Sequence, residues 1–79
     1  MARNSSDSLR ATLAANIKAY RSEKELSQEE LAELCGLHRT YIGSVEGQER
    51  NVTLSTLEVL SAALGVSVPE LLTKQKNKR

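Results

Sequence analysis

Few side chains in this 79-residue sequence can do covalent or metal chemistry. Cys35 and His38 are its one cysteine and one histidine, and one of each cannot close a structural zinc site. No carboxylate pair, nucleophile beside a base or phosphate-cradling loop occurs at a spacing that catalysis requires. The chain therefore reads as a non-enzyme that needs no cofactor and no metal. What remains is recognition by hydrogen bonding. The stretch Gln28 to Glu46, QEELAELCGLHRTYIGSVE, holds the densest set of candidates. Once its apolar positions are assigned to a core, Arg39, Thr40 and Ser44 are left together on one exposed helical face. Such a face fits the major groove of duplex DNA, which is about 12 Å wide and admits a helix.

Five short helices must position these residues. An apolar stripe from Leu9 through Leu13, Ile17 and Tyr20 has helical spacing and predicts a first helix capped by Asp7 or Ser8. Ser27 and Glu30 form a capping box for a second helix, with Leu26 and Leu31 as its hydrophobic staple. Leu31, Leu34 and Cys35 are its expected apolar face, Ala32 is the small residue for a close crossing, and Gly36 is the stop. Leu37, Ile42 and Val45 mark the buried side of a third helix that ends at Gly47. Thr53 caps a fourth, with the stripe Leu57, Leu60 and Leu64, and Gly65 closes it. Ser67 with Glu70 is a second capping box, Val66 with Leu71 a second staple, and Pro69 sits in the first turn of a fifth helix, where a missing donor costs little. No strand pattern occurs. The reading is all-α and compact: a polar flexible arm over 1–7, one helix-turn-helix domain over 8–73, and a basic flexible tail over 74–79.

Composition agrees with a small soluble domain. There is no Trp or Phe and there are two Tyr, so aliphatic residues must build the core. A chain this short buries a modest share of its surface, and no disulfide can reinforce it, so dimerisation is expected to add stability. Val66, Val68, Leu71 and Leu72 are more apolar residues than one short final helix needs, and they are the expected dimer surface. The net charge is only +1, which neither favours nor excludes DNA, since such a surface needs local positive charge. No segment is long enough to cross a bilayer, and a cytoplasmic setting is expected.

The residues LSQEELAELCGL, YIGSVE, RN and LSAALGVSVPELL resemble the Cro/repressor-type, or XRE, helix-turn-helix family, over nearly everything from Leu13 to Leu72. GLHRTYI followed by ERNVTLSTLEVL is similar, more narrowly, to the controller proteins of restriction–modification systems. The resemblance implies a lambda-repressor-like fold and a homodimer that binds a near-palindromic operator and regulates its own gene. It implies base reading by Arg39, Thr40 and Ser44, with Tyr41 against the groove wall or a base. Ser27 and Gln28 match one phosphate clamp and Arg50 with Asn51 a second, while His38 is placed to reach a phosphate. Arg21 and Glu46 match a structural ion pair.

The sequence departs from the controller pattern where relatives often read Ser-Gly in place of Gly43-Ser44. It departs again at Gly47, where they often carry a basic or amide residue, so their operators do not transfer. Glu29 and Glu33 match the acidic surface that activating relatives present to RNA polymerase, although Glu29 and Glu30 equally suit a helix N-terminus. Phage-type repressors and antitoxins or other protein-interaction modules share the frame and are the alternatives.

Overall fold

The computed structural model describes residues 5–75, with side chains from residue 9 onward. The chain forms α1 (Ser5–Glu23), α2 (Gln28–Cys35), α3 (Arg39–Glu46), α4 (Leu54–Leu64) and α5 (Val68–Leu72), with no strand among the described residues. Leu13, Ile17, Leu31, Ile42, Val45, Leu57, Leu60, Leu64 and Leu71 form one core with Ala32. α2 packs on α3 and α4, while α1 packs on α3 and α5 and so closes the bundle.

The local signals explain most boundaries. Ser27 and Ser67 each accept from the backbone N–H three residues on, and Glu30 and Glu70 reach back to the cap N–H, completing both capping boxes. Thr53 caps α4 by accepting from Thr56 N. Gly36 and Gly65 end their helices in the left-handed conformation, with φ of 68° and 71°, where a Cβ is penalised.

Four expectations change. α1 begins at Ser5, so Asp7 and Ser8 lie inside the helix and are not its caps; no glycine or proline interrupts that stretch. The remainder of the expected arm, residues 1–4, and most of the basic tail, residues 76–79, lie outside the described residues. Leu34 is 61% exposed: Leu31, Ala32 and Cys35 define the inward face of α2, and at 100° per residue Leu34 points roughly 110° away from its centre. Leu9 is also exposed. Finally, Leu71 is fully buried within the subunit, so it belongs to the monomer core and offers nothing to a partner; Val66, Val68 and Leu72 are half-buried against the same core.

The last turn of α5 depends on a residue without a sequence signal. Asn16 of α1 is buried, and its Nδ2 donates to the carbonyls of Leu71 at 2.8 Å, Thr73 at 2.9 Å and Glu70 at 3.3 Å. These are the acceptors a helix C-terminus leaves without intrahelical partners. Asn16→Ala is expected to destabilise the fold by about 2 kcal/mol, chiefly the cost of stranding the buried Leu71 carbonyl, read as a lower urea midpoint with an unchanged m-value.

Candidate nucleic-acid interface

α2 and α3 meet through a tight turn, in which the left-handed Gly36 lets Leu37 N donate to Ala32 O at 2.9 Å. The buried Ala32 allows the close crossing of α2 on its neighbours. α3 is then anchored from beneath by Ile42 and Val45, both buried, and by a polar device. Arg21 of α1 grips Glu46 of α3 bidentately, Nε to Oε2 at 2.8 Å and Nη2 to Oε1 at 3.0 Å. Its Nη1 donates to Leu26 O at 2.9 Å. Gln28 of α2 donates from Nε2 to Glu46 Oε1 at 3.0 Å. One carboxylate thus joins three helices. Among the described residues no buried side-chain polar atom lacks a partner, which is the condition under which a buried charge is tolerable.

The electrostatics follow from this geometry. Burial alone would raise the Glu46 pKa, but hydrogen bonds from Arg21 and Gln28 and the charges of Arg21 and Lys18 outweigh it and hold the carboxyl below its ordinary value. The hydrogen bond from Arg21 to Glu46 raises the guanidinium in turn. Both groups are charged throughout the physiological range. Cys35 is different: burial pushes its thiol up, so it stays protonated and unreactive.

The outer face of α3 carries Arg39 and Thr40, both exposed, with Ser44 one turn on and half-exposed. Several of the polar groups around them have their hydrogen-bonding sense already set. His38 caps α3, its Nδ1 accepting from Thr40 N at 3.1 Å, so the ring hydrogen resides on Nε2 and the outer nitrogen donates. Ser44 Oγ donates to Thr40 O at 3.0 Å, so its oxygen remains able to accept. Tyr41 is half-buried and lies beneath the Arg50 guanidinium, 4.7 Å from ring centroid to Cζ, a cation–π distance.

The residues of the two expected clamps are more committed than their types suggest. At the start of α2 the Ser27 hydroxyl and N–H are both engaged with Glu30, and the Gln28 amide donor serves Glu46. In the loop after α3, Asn51 Oδ1 accepts from Arg10 Nη1, a residue that no short-range pattern marked. The turn into this loop places Gln48, not Gly47, in the left-handed region, with φ of 63°. Gly47 itself has φ of −87°, which any residue can adopt, but a Cβ there would lie 3.3 Å from the Gly43 carbonyl oxygen, a tight contact. A Cβ on Gly43 would meet Gln28 Oε1 at an ordinary 3.6 Å, so the Ser-Gly order of relatives is also sterically possible.

Comparison with known proteins agrees with this architecture. Residues 17–71 match the family described as helix-turn-helix, and the chain belongs to that family. Within it the chain sits with the restriction–modification control proteins. It is 63% identical over 67 residues to Control protein C.SmaI of Serratia marcescens, across 85% of this chain and 80% of that one. Among solved structures it is similar to the hypothetical transcription factor NHTF from Neisseria, with a TM-score of 0.82 and 50% identity over 84% of this chain and 76% of that one. It is also similar to the restriction–modification controller protein C.Esp1396I, solved as a tetramer in complex with its natural 35-base-pair operator. There the TM-score is 0.73 and the identity 39%, over 81% of this chain and 88% of that one.

Because folding lowers the Glu46 pKa, its contribution is complete above the ordinary glutamate range and is lost as pH falls through the lower, folded-state value. Glu46→Gln is expected to cost about 3 kcal/mol at neutral pH, as for one partner removed from a buried pair. It is also expected to flatten the acid limb of the stability profile, measured by urea unfolding at a series of pH values.

Proposed function

We propose that this protein is a cytoplasmic transcriptional regulator of the controller type, which binds a near-palindromic operator as a homodimer and regulates its own gene. The observation that carries the reading is the anchoring of α3 by Glu46 with Arg39 and Thr40 projecting from its far side. A recognition helix must be held rigidly while its outer side chains stay unobstructed. Arg39 reads guanine through two parallel hydrogen bonds, and Thr40 offers a hydroxyl or a methyl contact to thymine. Ser44 and Tyr41 complete the base-facing set. His38 and Arg50 supply donors to the phosphates, with Asn51 and the start of α2 at Ser27 and Gln28 beside them. No catalytic role is assigned to any residue.

Pairing uses the half-buried Val66, Val68 and Leu72, joined by Leu54, which is 77% exposed. Leu72, Leu54, Leu9 and Val52 line one shallow depression. An apolar surface of this kind on so small a domain suits a second copy. A twofold pair that reads successive major grooves sets its two α3 helices about 34 Å apart.

A specific observation favours activation as well as repression. Leu34 stands exposed on α2 in a hollow shared with Leu26, Glu30 and Glu33, and Glu29 lies exposed on the same helix. An apolar residue ringed by carboxylates suits a basic and partly apolar protein surface, and RNA polymerase is the proposed partner.

Two measurements test these assignments. On DNA from upstream of the gene at about 150 mM salt, binding is expected at least about 10³-fold above random duplex. Arg39→Ala should lose about 1–3 kcal/mol on that site and relax one base preference. Arg50→Ala should weaken all sequences alike and reduce the salt slope by about one. Equal losses on operator and random DNA for Arg39→Ala would remove its base-reading role. Glu29→Gln with Glu33→Gln is expected to abolish activated transcription in a reconstituted assay while operator affinity holds; unchanged activation would exclude the polymerase contact.

A further inference from the structure

The loop between α3 and α4 carries Arg50 and Asn51, has no regular structure, and is exposed at both residues. It is nevertheless held from two sides. Arg50 rests on the ring of Tyr41 in α3. From the other side Arg10, in the second turn of α1, donates from Nη1 to Asn51 Oδ1 across 41 positions of sequence. Arg10, Arg50 and Asn51 are the polar lining of the depression whose apolar lining is proposed above for pairing.

The chemistry of the amide gives this bond a consequence. Asparagine has one accepting end and one donating end, and a phosphate oxygen can only accept. Asn51 can therefore serve the DNA backbone only through Nδ2. Arg10 occupies Oδ1, and the end that remains is the donating one. Turned the other way, the amide would present its carbonyl oxygen to a phosphate and repel it. The bond lies in solvent, where such contacts contribute little to folding stability. Its effect is orientation, since a loop ordered before binding spares the complex part of the ordering cost.

We propose that Arg10 is a positioning residue for DNA binding: it fixes the Asn51 amide with its donors outward and so presents the α3–α4 loop to a phosphate of the operator. The assignment rests on the reading that this chain binds DNA, and it adds a residue from α1 to an interface otherwise drawn from α2, α3 and the loop.

The test is a double-mutant cycle on the full-length protein. The probe is the duplex that the wild-type protein enriches from a pool of random duplexes. Arg10→Ala and Asn51→Ala are each expected to weaken binding about three- to tenfold, and the double variant no further than the weaker single, as for two residues acting as one. Because the contact made by Asn51 is neutral, the salt slope of Arg10→Ala should match that of the wild type. A slope lowered by about one unit, with losses that multiply, would make Arg10 itself the phosphate ligand and overturn the proposal. Unchanged affinity in Arg10→Ala would overturn it too, as would a loss matched by a fall in melting temperature. A wild-type protein that enriches no sequence would instead overturn the DNA reading as a whole.

Discussion

The carboxylate of Glu46 is the point on which the domain turns. It is 5% exposed and would be prohibitive there alone, since an isolated buried charge costs far more than a domain of this size can offset. Arg21 and Gln28 make it tolerable, and in doing so they tie α1 and α2 to the end of α3. Apolar packing of Ile42 and Val45 sets how deep α3 lies, but packing is non-directional. The bidentate pair has direction, and it fixes the rotation of α3 about its own axis. That rotation decides whether Arg39 and Thr40 face outward.

The small domain can hold this arrangement because its connections are specified almost residue by residue. Two capping boxes, a threonine cap, a histidine cap and two left-handed glycines define the ends of four helices within residues 27–73. Each helix there is short, and helices of that length are unstable alone. Their order comes from packing on one shared core, in which Leu60, Leu64 and Leu71 bring α4 and α5 against the others. Side chains at the surface can then be used for recognition, and several already have their donors and acceptors assigned before any ligand arrives.

Local pattern made much of this legible. Ser27–Glu30 and Ser67–Glu70 announce themselves, as do the stripes Leu13–Ile17 and Leu57–Leu60–Leu64, because cap and periodicity act over three or four residues. The Arg21–Glu46 pair was reached through family resemblance, since nothing local links positions 25 residues apart. Long-range polar partners were otherwise hidden. Asn16, Arg10 and the engagement of Gln28 by Glu46 follow from the crossing of helices and not from spacing. Leu34 and Leu71 were misjudged for a related reason: hydrophobicity marks a residue as apolar without saying which neighbour covers it. Gln48 carries no local signal for its left-handed φ, whereas Gly47 beside it does mark the end of α3.

The cap that Asn16 places on α5 also ties the two ends of the domain together. A helix of five residues is unstable in isolation, and its C-terminal carbonyls have this partner only where α1 is docked. The surface around Val66, Val68 and Leu72 therefore depends on a contact made from the other end of the chain. Loosening the contact from α1 would therefore loosen α5 and the surface it carries together, although the two lie at opposite ends of the chain.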